Sequence, residues 1–413
     1  MIALITSVLI GVALVGYLTT TQSQTRLVAR SQSWNGAIPM AEAGVEEAMA
    51  FLNFSGTTNL AGDGWSTDGT NYSRQRTLGD DHYEVTIFPG AAPVIVSRGY
   101  VLAPLTNDYI TRTVRVTTRG TGRFPRSILA AQTITMSGGS IVDSFDSSDP
   151  GHSTAGHYDP LKRKDGAIVA SISGAKDVLN LGTGNVYGKA ASGPGGNVAV
   201  GSSGGVGDAA WINNPVNDGK VQPGHFADDV NVTLDKVSVP YSLGLTPLPG
   251  FAGGTNYTYA LGDGDYKMGD CTIPGGQKMV VTGKARLYVT GDFTTSGSGF
   301  VYLTPGASLE LYLGGSTATI SGSGVVNSEQ STSAMSIYGL PGLTKIVYSG
   351  SSAFIGTVYA PQAAFTLSGS AAASGAAVAK SFTMTGGMNF HYDEALGGGG
   401  GPAKYQIASW REL

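Results

Sequence analysis

The chain is short of several groups that would define common protein classes. It has one cysteine, Cys271, in 413 residues, which excludes an intramolecular disulfide. Cys271 reads as a small buried residue of a β body, with an intermolecular bridge as the alternative. Charged residues make up 13%, about half the ~25% usual in soluble domains. The formal net charge is −4, and no basic run exceeds Lys162-Arg163-Lys164, so the chain does not read as a nucleic-acid binder. Five histidines are scattered along it. No Gly-x-Ser-x-Gly elbow has a strand-to-helix setting, and Gly-Pro-Gly-Gly at Gly193 lacks the Lys-Ser/Thr of a phosphate loop. The late strands carry only isolated charges, Glu310, Lys345 and Lys380. No enzyme is expected from such a set, because glycoside chemistry needs paired carboxylates on one face.

Charge is also absent from one end. Residues 1–25 contain none, and the first eighteen, MIALITSVLIGVALVGYL, are almost wholly apolar. About 20 helical residues span a bilayer core. A secretory signal would need a basic flank and a small-residue cleavage site. The first basic residue is Arg26, and TTTQSQTR follows the run without such a site. The expectation is a mature chain whose short basic leader has been removed. An ordinary signal anchor beginning at Met1 is the alternative.

A second helical pattern continues from the first. Trp34, Ala37, Ile38, Ala41, Val45, Ala48, Met49 and Leu52 recur at three- and four-residue steps, one face of a helix. Met40, Gly44 and Glu47 fall mostly on other faces. Pro39, inside the pattern, removes one backbone donor and is expected to kink the rod or begin a new segment.

Ala41-Glu42-Ala43-Gly44-Val45-Glu46-Glu47-Ala48 resembles the AEAGxEEA stretch of PilX-type minor pilins. With the apolar run before it, residues 1–53 resemble the type IV pilin and pseudopilin superfamily. The resemblance implies a rod whose first half packs in a filament core and whose second half lies on a β-rich head. The residues it assigns to core packing are Met1, Ile2, Leu4, Ile5, Val8, Leu9, Val12, Leu14, Val15 and Leu18. The chain departs from the family at Ile5, where most pilins carry a Glu that pairs with a neighbour's amino terminus. It further implies identical subunits as partners, residence in the inner membrane before assembly, an extracellular filament or cell-surface location, and a surface or glycan target.

After the rod the texture is β. HYEVTIF (82–88), PVIVSRGYV (93–101) and YITRTVRVTT (109–118) alternate apolar and polar residues, as antiparallel strands with one buried face do. Pro89-Gly90 and 105–108 supply turns. From about Phe124, short strands recur between Gly and Ser, and Gly is 62 of 413 residues. A Thr-x-Ser-Gly ending appears at Thr135, Thr294, Thr319 and Thr366, with Thr383-Met384-Thr385-Gly386 as a variant. Recurrence at this scale marks stacked supersecondary units.

The expected fold class is therefore α+β. A long N-terminal helix (1–53, with 1–25 apolar and 26–53 amphipathic) precedes a small antiparallel sheet (54–123). A large β domain follows (124–396), read as a parallel β-helix or solenoid, with an antiparallel β-sandwich as the alternative. Residues 208–275, rich in proline, read as an irregular loop insert. Gly397–Gly401 reads as a hinge, and 397–413 as a hinge and tail able to dock on its own body or a neighbour's sheet.

The densest polar cluster holds Asp143, Asp146 and Asp149, with His152, His157 and Asp159 following. Carboxylates and hydroxyls suit Ca²⁺, although no EF-hand spacing is present. The competing reading is Asx turns in a loop. No other cofactor is expected. The triplets at Asn53, Asn71, Asn231 and Asn256 match the glycosylation pattern but are common by chance. The function expected is a structural pilin of a type IV pilus-like filament, its β domain displayed for adhesion. The alternatives are a membrane-anchored polysaccharide-binding protein or enzyme, and a minor or tip pilin.

Overall fold

The computed structural model describes every residue except 56–59, 91, 105–107, 122–123, 370 and 398–403. Most of the expected 105–108 turn and of the glycine run lie outside the described residues. The chain is a long helix followed by a predominantly β structure. It divides into two compact units, Met1–Thr121 with Pro402–Leu413, and Gly122–Gly401.

The first unit begins with helix α1, Ile2–Ser55, which passes through Pro39 without interruption in its helical assignment. At 1.5 Å per residue it is about 80 Å long. Residues 1–28 are all exposed. Their hydroxyls turn back onto the helix: Thr6 donates to the Ile2 carbonyl at 2.9 Å, Thr20 to Gly16 at 2.8 Å and Thr25 to Thr21 at 2.9 Å. This back-bonding satisfies the hydroxyls within the helix itself.

The second half of α1 buries Ala37, Ala41, Val45, Ala48 and Leu52. They pack against an antiparallel sheet of β1 (Ser66–Thr67), β2 (Tyr72–Leu78), β3 (Asp81–Phe88), β4 (Val94–Leu102) and β5 (Tyr109–Thr121). Val85, Ile87, Ile95, Val114 and Val116 supply the sheet side of this core. Trp34 is half-exposed rather than in the core, with the Arg112 guanidinium 5.1 Å from its ring centre. Gly44, assigned to another face by its periodicity, is buried against the sheet. A Cβ there would lie 2.3 Å from Ser97 Oγ and 2.8 Å from the Tyr83 ring.

The tail joins the sheet of the first unit. Lys404–Glu412 is a strand that pairs antiparallel with β5, from Lys404 opposite Thr121 to Glu412 opposite Val114. It completes a six-stranded sheet. Arg112 donates from Nε and Nη2 to the Glu412 carboxylate at 2.5 Å each, fixing the end of this strand. The second unit is thus inserted in sequence between two adjacent strands of the first.

In the second unit the ladders are parallel, apart from the hairpin of Leu248–Ala252 with Thr255–Leu261. An antiparallel sandwich is therefore not what forms. One row of register partners runs through the body: Ala227, Ala191, Ala170, Leu129, Val378, Tyr359, Tyr338, Tyr312, Tyr288, Lys267. Its order is not the order of the chain. The chain enters in mid-row at Leu129, works outward to Ala227, returns to the far end at Lys267, and climbs back to meet its own start.

The return is made by 228–247. Val230 N donates to the Ser192 carbonyl at 2.9 Å, Tyr359 Oη to the Asp235 carbonyl at 2.9 Å, and Tyr241 Oη to the Tyr266 carbonyl at 2.6 Å. Nine strand steps of about 4.8 Å make roughly 43 Å, within the ~66 Å that about twenty extended residues reach. The strap buries Val230 and Val237 over Leu129, Tyr338, Tyr359 and Val378. Its prolines Pro240 and Pro247 suit a segment that joins the ladders only at points such as Val230 and Leu245.

The proline-rich stretch 208–275 is thus not all loop. It includes a short helix at Ala209–Ile212 and strands from Leu248 to Ile273. The Thr-x-Ser-Gly recurrence maps onto one row, since Thr294, Thr319, Val347, Thr366, Thr383 and Thr135 are successive register partners. The glycine of each copy turns a corner at positive φ, for example Gly322 at 68° and Gly386 at 82°. The core carries edge-to-face rings of Phe354, Phe365, Phe382 and Phe390, with centres 5.5–6.2 Å apart.

Candidate functional site

The exposed rod is the first candidate. Met1, Ile2, Leu4, Ile5, Val8, Leu9, Val12, Leu14, Val15 and Leu18 are all exposed large apolar residues, from 51% at Leu18 to 101% at Met1. A monomer in water rarely leaves so long an apolar surface bare. α1 is also long and apolar enough to cross a membrane.

The AEAGVEEA stretch is where rod meets sheet. Ala41 and Ala48 are small enough to let the helix sit close, and Gly44 removes the last obstruction opposite Tyr83. Gly99 on β4 does the same from the sheet side: a Cβ there would stand 2.3 Å from the Ala37 carbonyl oxygen and 2.6 Å from Ala41 N. Glu47 is the stretch's largely buried carboxylate. It accepts from Tyr83 Oη at 2.6 Å and Arg76 Nε at 2.6 Å, with Arg74 Nε 3.4 Å away. Burial, and then the bond to Glu47, pushes the Tyr83 phenol up to about 12. Glu42 and Glu46 stay exposed. One motif therefore has two kinds of glutamate, one locking the helix to its sheet and two facing away.

The acidic cluster does not converge. Asp143 is buried, 2.5 Å from His391 Nδ1 and accepting from Tyr158 Oη at 2.7 Å. Tyr158 stacks on His391 with ring centres 3.5 Å apart. Asp146 accepts from Ser148 N at 3.0 Å and Asp149 from Gly151 N at 2.8 Å, both Asx turns. Among the described residues no group of three or more His, Cys, Asp or Glu side chains is placed to hold a metal.

His391 and its neighbours tie the last strand to the first coil. Asp393 is buried and accepts from Thr332 Oγ1, Ser147 N and Ala395 N. Glu394 accepts from Ser144 Oγ at 2.8 Å and pairs with Lys164. A cleft of about 560 Å³ lies beside them, lined by Ser147, His157, Glu329, Ser331, Thr332 and Asp393 among others. His82 stacks on Tyr100 at 4.2 Å on the solvent side of the sheet, and His225 Nδ1 lies 2.7 Å from the Gly188 carbonyl oxygen. Cys271 is fully buried, and burial alone raises its thiol to about 12.

Sequence reasoning missed the pairing of the C-terminal strand and the row of tyrosines under the strap. The alternation of Tyr405-Gln406-Ile407 announced a strand but not its partner. The tyrosines were each legible on their own strands, and only register aligns them.

A family model described as a domain of unknown function (DUF7305) matches residues 241–398, less than half the chain. No curated protein matches the sequence. Among solved structures, the chain is similar to the competence-associated pilin ComZ from Thermus thermophilus. Identity is 12% and the TM-score 0.32, over 92% of this chain and 97% of that one.

Proposed function

We propose that this chain is a structural subunit of a type IV pilus-like extracellular filament, and that its inserted body is a parallel β-helix displayed from the head. The observation that carries the reading is the two-part rod: 28 exposed residues, the first eighteen almost wholly apolar, continuous with a half that packs on an antiparallel sheet. The exposed half sits first in the inner membrane. It then leaves lipid for a core of identical rods, where apolar burial at roughly 25 cal/mol per Å² replaces contact with acyl chains. The absence of charge before Arg26 keeps that transfer free of buried unpaired side-chain ions.

The reading gives the body a display role, with a surface or glycan target, and assigns it no catalytic chemistry and no cofactor. Register rows of 17–28 residues with glycine corners support the solenoid. Electron microscopy of the purified full chain after detergent removal tests the proposal. Long filaments with a helical core are expected; monomers that stay soluble only in detergent would overturn it.

A further inference from the structure

The first unit carries opposite charge on its two opposite faces. On the sheet, Val114, Val116 and Thr118 of β5 point inward and are buried, so Arg115 and Arg119 point away from α1 and are exposed. Arg411 is the register partner of Arg115, and Arg98 of β4 lies one strand over, opposite Thr113. All four arginines are exposed, and none takes part in an ion pair among the described residues. Like charges directly opposite on antiparallel strands destabilise the pair. Glu84 is the one carboxylate among the described strand residues of this face, and Tyr100 Oη donates to it at 2.8 Å.

On the other side, Glu42 and Glu46 stand one helical turn apart on α1. They lie about 130° around the helix from the centre of its buried stripe. Both are exposed and outside any ion pair among the described residues.

We propose that the Arg98/Arg115/Arg119/Arg411 sheet face of one copy docks on the Glu42/Glu46 helix face of the next. This rests on the filament reading and adds to it a named contact between heads. The two patches are on opposite faces of one unit, so the contact is heterologous. Such a contact does not pair two copies as a symmetric dimer does; with a rotation that does not close a ring, it continues copy after copy into an open helical array. The occupant is a second copy of this chain because the two patches are opposite in charge and neither forms an ion pair within its own fold among the described residues. The contact supplies register and orientation, while the rods supply most of the burial.

The test uses full-length protein. Arg115→Glu with Arg411→Glu is expected to abolish filaments while the circular dichroism spectrum is unchanged. Adding Glu42→Lys and Glu46→Lys to that variant is expected to restore them. Mixed assembly of Glu46→Cys with Arg115→Cys should give an intermolecular disulfide, with buried Cys271 silent. Filaments that survive the arginine reversal overturn this inference and leave the filament reading standing. A wild type that never forms filaments overturns the filament reading itself. A Glu46→Cys cross-link to Arg30→Cys in place of Arg115→Cys overturns the pairing. So does loss of dextran sulfate binding on arginine reversal with filaments intact, which would assign the face to a polyanion.

Discussion

Leu129, at the start of the β body, is the parallel-register partner of Val378, near its end. The body's last strands therefore pair with its first, and its two ends lie close, the Tyr392 hydroxyl donating to the Phe124 carbonyl at 2.7 Å. This is the geometry an insertion requires, since the host strands β5 and Lys404–Glu412 are themselves neighbours.

Excision of the body should leave the head folded. Thr121 and Lys404 are opposite each other, so replacing 122–403 with Asn-Gly makes β5 and the C-terminal strand a two-residue hairpin. The expected outcome is a helix-plus-sheet protein in detergent with one cooperative thermal transition by circular dichroism. A broad, non-cooperative melt would show that the head needs the insert.

Gly99→Ala should loosen the rod from the sheet. The new methyl would lie 2.3 Å from the Ala37 carbonyl oxygen, so helix and strand must separate. Overpacking of this kind costs about 1–3 kcal/mol. Denaturant unfolding of the excised head measures it. An unchanged midpoint would mean the helix slides without cost.

Glu47→Gln should keep the shape and weaken the lock. It removes the charge from bonds to Tyr83 and Arg76, and charge-assisted bonds are worth about 1.5–3 kcal/mol. The loss should appear in the same unfolding assay. Glu42→Gln, on the exposed face, should leave intramolecular stability within ~0.5 kcal/mol.

Alkali should unfold the body and head before it hydrolyses them. Burial pushes the Tyr348 phenol, and burial with the Glu47 bond the Tyr83 phenol, from 10.0 up to about 12. In each case the unfolded chain loses its proton first. The contribution is complete below pH 10 and is lost as pH rises from 10 through about 12. Equilibrium unfolding between pH 9 and 12.5 measures this slope; a flat profile contradicts it. Cys271, raised likewise to about 12, should resist a thiol reagent at pH 8 until the body is denatured.

Rod substitutions separate assembly from folding. Val8→Asp and Leu14→Asp each put a carboxylate on a surface 58% and 56% exposed, so the single chain folds unchanged. Filaments should be lost, because burying an unpaired charge between rods costs several kcal/mol. Filaments from either variant would remove Val8 or Leu14 from the core.

Much was legible locally. The charge-free run, the three- and four-residue spacing of Ala37, Ala41, Val45, Ala48 and Leu52, and the alternation of HYEVTIF each report a period that a neighbouring turn or pleat imposes. Thr-x-Ser-Gly was legible for the same reason, as its glycine answers a corner's positive φ. Gly44 was misread because its role is set by Tyr83 and Ser97 on strands across the interface. Asp143 read as a ligand candidate, and only the fold brings His391 and Tyr158 to it.

The sequence by itself determined the rod, the β character of everything after it and the corners of the body, because each follows from short-range sterics and the period of apolar residues. Only the tertiary structure decided that Val378 sits beside Leu129, that 228–247 straps the tyrosine row, and that Lys404–Glu412 completes the first sheet. Those pairings join residues far apart in the chain. Backbone hydrogen bonds are alike from strand to strand, so partners are chosen by the shape and burial of faces that exist only once the chain has folded.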